Sequence, residues 1–324
     1  MGYGSYSHEA HVAMTSARSS LPRQEVFKQR EVHPTMAPKG IRARECRDSA
    51  THPQSLAIAF ALDVTGSMGA IPDLLAREKL PTFMALMEKF GVPSPQLLFL
   101  AVGDANSDRG PMQVGQFEAT GELMDQWLTR TWLEGGGGAF GQESYELALY
   151  FMAEHTAIDC FEKRNQRGYL FLTGDEHPYP TVARAHIEGV FGDQADEDIP
   201  TEAVVASLLE QWKPFFLIPD RRRAGHCEAV WRALLGDHVI VMEDPADTCH
   251  VAAAIVALGE GRLASIDMLA SRLRVEGLSG DRVGAVIRAV TPYAATLHKD
   301  AAPPPSPAAP SSAEEPGLFK RLFG

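Results

Sequence analysis

Asp63, Thr65 and Ser67 occupy alternate positions in ALDVTGSMG, residues 61–69. In an extended or turning loop, that spacing lets one carboxylate and two hydroxyls converge on a point. An oxygen-only set suits Mg²⁺ or Mn²⁺, hard cations that keep waters and take few protein ligands. It offers no soft ligand for Zn²⁺ or Cu⁺. The three residues could also serve only to cap the helix that follows. What must position them is the stretch just ahead, Ser55–Leu62, which is mostly apolar. It is too uniformly apolar for a half-exposed strand and predicts a central strand buried on both faces of a parallel sheet. In open α/β sheets ligands bind where strands end at their carboxyl side.

A second stretch repeats the arrangement. GYLFLTGDEHP, residues 168–178, is an apolar strand ending in Thr173, Gly174, Asp175 and Glu176. Asp63-x-Thr65-x-Ser67 after a buried strand resembles the metal-ion-dependent adhesion site of von Willebrand factor A domains, whose motif is D-x-S/T-x-S. The later strand is similar to the one that supplies the distal Asp in that family, which would make Asp175 the fourth site residue. The resemblance covers roughly residues 53–260, and the lack of a disulfide framework and of an apolar signal core steers it toward the intracellular bacterial type. It implies direct ligation by Thr65 and Ser67, with Asp63 and Asp175 acting largely through waters. It also implies an open coordination position for a partner's Asp or Glu, and partners of the MoxR-like AAA+ ATPase kind.

The family usually places a metal-binding Thr in a third, glycine-rich loop. Here that loop reads GGGGAFGQES, residues 135–144, and has no Thr. Glu143, Ser144 or a water is left to take its place. The same loop lacks G-x-x-x-x-G-K-[ST], which argues against a phosphate loop. Asp104 and Asp108, in GDANSD, could build a second cation site, but the Asp, Asn and Gly content favours a turn. His177 and Tyr179, between prolines, suit either a protein-binding rim or a packed turn. Arg221–Arg223 reads as a solvated loop that could hold an anion.

A helical period runs over Ile71–Phe90, with Pro81 expected to kink or divide it. Strands are expected at Gln96–Val102, at 111–118 on an edge, at Lys213–Pro219 and at 238–242. Helices are expected at 121–133, Tyr145–Ala157, Pro200–Trp212, 226–235 and 246–258. This alternation predicts a doubly wound, mainly parallel α/β sheet with one antiparallel edge strand.

Residues 1–52 are polar and show no lasting period, which predicts a flexible arm. The α/β domain is expected over 53–260 and a small helical appendix over 261–300. Residues 301–316 form a Pro/Ala-rich linker. Residues 317–324 end the chain with Leu318, Phe319, Leu322 and Phe323 around two basic residues, a docking-peptide pattern for a second protein.

With 30 basic against 42 acidic residues, the net charge of −12 argues against nucleic acid as the main partner. No apolar run reaches the length of a membrane span, and the first 20 residues lack an apolar signal core. The four cysteines show no C-x-x-C spacing. The cytoplasm is the expected compartment. The function expected is a metal-dependent protein-interaction module, an adaptor or assembly factor, and not an enzyme. The alternative is a metal-dependent phosphohydrolase using Asp63. Such enzymes carry D-x-D-x-T, and here the second Asp is Thr65.

Overall fold

Strand β1, Leu56–Asp63, is buried along its whole length. A computed structural model describes residues 4, 6–75, 80–137 and 141–300. In it β1 is flanked by β2, Pro95–Val102, and by β4, Gly168–Thr173, both parallel to it. β3, Met112–Val114, runs antiparallel to β2 at one edge. β5, Trp212–Ile218, and β6, Val239–Val241, extend the sheet beyond β4 in parallel. The order is β6-β5-β4-β1-β2-β3. This is the doubly wound, mainly parallel sheet with one antiparallel edge strand that the alternation predicts.

The two faces of β1 differ in size. Leu56, Ile58, Phe60 and Leu62 point into one core, and Ala57, Ala59 and Ala61 into the other. The alanines leave room for large rings on their side, including Tyr145, Phe151, Trp212 and Trp231. Those rings come from β5 and from helices α4 (Tyr145–Glu154) and α6 (Arg221–Leu235), with α5 (Thr201–Gln211) alongside. The opposite core takes α2 (Leu80–Lys89), α3 (Gly121–Arg130) and α7 (Thr248–Gly259). Every residue of α7 from Thr248 to Leu258 is buried. It is covered in turn by α9 (Gly280–Asp300), on which α8 (Ile266–Val275) packs. Leu269, Leu273, Val286 and Val290 join the same core, so residues 261–300 pack as part of the sheet's outer layer.

Within the Ile71–Phe90 period the described helical segments are Ile71–Leu74 and α2, and residues 76–79 between them lie outside the described residues. Two expectations are corrected. Arg221–Arg223 is no loop but the first turn of α6, capped by Asp220, whose Oδ1 accepts from the Arg222 and Arg223 amides. The flexible arm is corrected too. Residues 8–19 form α1, His8–Ser19, against α2 and α3, and Arg44–Cys46 pairs in parallel with Thr156–Ile158. Val26, Phe27, Met36 and Cys46 are buried. These anchors are few and widely spaced among polar residues, which is why no period reveals them. The linker and the docking tail, with Leu318, Phe319, Leu322 and Phe323, lie outside the described residues.

Candidate metal centre

β1 and β4 are neighbours and end level, with Leu62 opposite Thr173. Their loops therefore meet. Asp63 is fully buried at the end of β1. Its Oδ1 accepts from the Thr65 amide at 2.9 Å and from Thr65 Oγ1 at 2.5 Å. Its Oδ2 accepts from the Tyr145 hydroxyl at the start of α4. On the other loop, Ser67 Oγ donates to Asp175 Oδ1 at 2.7 Å. Asp63, Thr65, Ser67 and Asp175 are thus brought together, running from the buried Asp63 to the exposed Ser67.

Between the two hydroxyls the separation is 3.2 Å. Each has one proton, and each gives it to a carboxylate. With both carboxylates ionised no proton is left for the contact between them, and Thr65 Oγ1 and Ser67 Oγ then face each other with lone pairs. Adjacent corners of an octahedron with bonds of about 2.1 Å lie about 3.0 Å apart. The donor set therefore fits a small divalent cation. Among the described residues no three His, Cys, Asp or Glu side chains gather closely enough to hold a metal by themselves. The set here is instead mixed, two carboxylates and two hydroxyls. Burial pushes the Asp63 carboxyl up to about 7 against the pull of the Thr65 and Tyr145 donors, and the Asp175 charge adds to the rise. A nearby cation would relieve that penalty.

The glycine-rich loop closes over this pair. Gly66 N donates to Gly136 O at 2.6 Å, and Gly135 N to Val64 O at 3.2 Å. Gly137 has φ +128°, and a Cβ there would meet Glu143 Oε1 at 2.7 Å and Thr65 Cβ at 3.2 Å. Glu143 and Thr65 thus share the space over Gly137. Ser144 is committed elsewhere. Its Oγ accepts from the Ala105 amide at 2.9 Å and donates to Asp104 Oδ1 at 3.4 Å. Of the two candidates for the missing Thr, Glu143 borders the same Gly137 position as Thr65, while Ser144 is bonded to the Asp104 loop.

Asp104 and Asp108 act as turn residues. Asp104 accepts from Asn106 N and Ser107 Oγ, and Asp108 from Asp104 N and Gly137 N. Asp108 thereby holds the glycine loop in place. His177 stacks on His226, ring centroids 4.7 Å apart, with its Nε2 2.7 Å from the His226 carbonyl. The short strand His177–Pro178 pairs with Gln142–Glu143 and ties the third loop to the Asp175 loop. Tyr179 is half-buried, and its amide donates to Glu146 Oε2.

Two residues of the centre escape sequence reasoning. Tyr145 reads as an ordinary first helical residue. Arg223 reads as part of a solvated triplet, yet its Nε donates to Asp175 Oδ2 at 2.7 Å. It also pairs with Asp220 and donates from Nη2 to Ser67 O at 3.2 Å. The signal that could have found it is Asp220, a helix cap directly before the triplet.

No family model matches the chain, and no curated protein matches it. Among solved structures it is similar to a von Willebrand factor type A protein from Catenulispora acidiphila. The identity is 13% and the TM-score 0.42, covering 64% of this chain and 43% of that one. Proximal thread matrix protein 1 from the mussel byssus has 12% identity and TM-score 0.40, over 66% of this chain and 49% of its own. The pilus adhesin SpaC from Lactobacillus rhamnosus GG has 12% identity and TM-score 0.40, over 72% of this chain and 31% of its own. The chain thus spans less than half the length of each of these structures.

Proposed function

We propose that this chain is a divalent-cation-dependent protein-interaction module of the von Willebrand factor A type, working as an adaptor or assembly factor. The observation that carries the reading is the pair of adjacent hydroxyl oxygens, Thr65 Oγ1 and Ser67 Oγ, 3.2 Å apart and each hydrogen-bonded to a carboxylate. Thr65 and Ser67 would hold Mg²⁺ or Mn²⁺ directly. Asp63 and Asp175 orient the two hydroxyls and balance charge. A bound cation supplies a Lewis-acid position that a partner's Asp or Glu can fill. Ser67, exposed beside the buried Asp63, gives that partner its approach.

The bacterial, cytoplasmic setting and a MoxR-like AAA+ ATPase as partner belong to the same proposal, carried by the resemblance. Docking of a second protein by residues 317–324 belongs to it too, carried by the tail's pattern. Among the described residues no helix is long and apolar enough to cross a membrane. The phosphohydrolase reading draws no support from the geometry. Asp63 is fully buried with both oxygens hydrogen-bonded, an arrangement that favours the interaction reading over a role as nucleophile.

Calorimetric titration of Mg²⁺ and Mn²⁺ into the wild type and Asp63→Ala tests the reading. Saturable binding that the variant loses supports it. Binding of equal strength in both would place the cation elsewhere.

A further inference from the structure

Among the described residues Arg223 is the guanidinium that reaches into the centre. It touches three groups there: Asp175 Oδ2, Asp220 Oδ2 and the Ser67 carbonyl. Its side chain is 27% exposed and that of Asp175 only 7%, so the contact is partly shielded from water. With Ser67 Oγ on Oδ1 and Arg223 on Oδ2, both oxygens of Asp175 are taken.

Helix stability does not call for this residue. Arg223 sits in the first turn of α6, where the helix dipole disfavours positive charge. Its place there depends on the carboxylates of Asp220 and Asp175, and Asp175 comes from another loop. An acidic or neutral residue would suit the turn better. What Arg223 does supply is a fixed positive charge, forked and never lost, at the distal carboxylate of the centre.

We infer that Arg223 is a built-in cation that competes with a divalent ion for the Asp175 end of the centre and so sets the site's affinity for metal. The inference rests on the metal reading above. In the closed arrangement Arg223 neutralises Asp175 and holds the Ser67 backbone, so the two loops stay joined without metal. A divalent ion between Thr65 and Ser67 meets a like charge one carboxylate away. Its affinity is lowered until Arg223 swings outward or a partner's carboxylate takes the guanidinium. The partner would then loosen Arg223 and fill the metal's open position together, which couples partner and metal binding. By reciprocity each would tighten the other.

The test is Mn²⁺ binding, read by calorimetry and by loss of the free Mn²⁺ electron-spin resonance signal. The proteins are full-length wild type, Arg223→Gln and Arg223→Lys, each first shown to melt cooperatively. Arg223→Gln removes the charge, and Arg223→Lys keeps it while losing the fork. The expected result is affinity at least about tenfold tighter in Arg223→Gln, since a unit charge at this range is worth more than a factor of ten. Arg223→Lys stays within about threefold of wild type, because its charge remains. Equal or weaker binding in Arg223→Gln than in a wild type that does bind overturns the competition and leaves the metal reading standing. Tightening by Arg223→Lys equal to that of Arg223→Gln overturns it as well. No binding in any of the three overturns both the competition and the metal reading.

Discussion

Ser67 Oγ stands 2.7 Å from Asp175 Oδ1, joining two loops 108 residues apart in sequence. The contact follows from the sheet. β1 and β4 pair in parallel with Leu62 opposite Thr173, so residues a few positions beyond each strand meet above the same edge. Ser67 is exposed, and its removal creates no cavity. Ser67→Ala is therefore expected to weaken Mn²⁺ binding by about tenfold or more, as a direct ligand is lost. The melting temperature should move little, since surface substitutions cost within about 0.5 kcal/mol. Titration and thermal melts of the same preparation read both. A large fall in melting temperature with unchanged binding would make Ser67 a structural clasp only.

Tyr145 sits under the centre, fully buried, with its hydroxyl on Asp63 Oδ2. Tyr145→Phe removes the donor and leaves a buried carboxylate oxygen without it. The cost should be about 1–3 kcal/mol of stability. Urea unfolding at neutral pH measures it. The loss should shrink on adding Mg²⁺, which would stabilise the charged carboxylate instead. An equal loss with and without metal would separate Asp63 from the cation.

Glu146 is 1% exposed, and its Oε1 has no hydrogen-bond partner among the described residues. Burial raises its carboxyl from 4.5 to about 8. The folded chain keeps this proton after the unfolded chain has lost it. The stability drawn from the group is thus complete below about 4.5 and is lost as pH rises through about 8. Each pH unit in that window is worth about 1.4 kcal/mol. Glu146→Gln stays neutral throughout. Its stability relative to wild type should rise steadily between those two pH values, as followed by urea unfolding at several pH values. A constant difference across the window would contradict the buried, protonated state.

Phe27 lies in the polar N-terminal stretch, yet it is 4% exposed and belongs to the same core as β1. Phe27→Ala should cost about 3 kcal/mol. Differential scanning calorimetry would show it as a lowered, still cooperative transition. An unchanged transition would mean that this stretch is not part of the cooperative unit.

These cases mark what the amino-acid order reveals. β1 and β4 are legible because each is a short, uniformly apolar run that stops at a polar cluster. Asp63, Thr65, Ser67 and Asp175 are legible with them, since neighbouring strands that end level bring their loops together. Glu143 and Ser144 are adjacent in the chain but border different groups, Gly137 and Asp104, and spacing alone cannot separate them. Arg223 is hidden by its two arginine neighbours, although Asp220 marks the helix start that aims it at Asp175. The N-terminal stretch is hidden for another reason. Its contacts, such as Arg47 with Asp159 and Arg164 with Asp48, span more than 100 residues and leave no local pattern.

The most direct test is crystallographic. Crystals of the full chain soaked in Mn²⁺ would be measured at a wavelength where manganese scatters anomalously. The account predicts a single strong peak within about 2.2 Å of both Thr65 Oγ1 and Ser67 Oγ, absent from Asp63→Ala crystals soaked in the same way. A peak elsewhere on the molecule, or none at a concentration that saturates binding in solution, would contradict it.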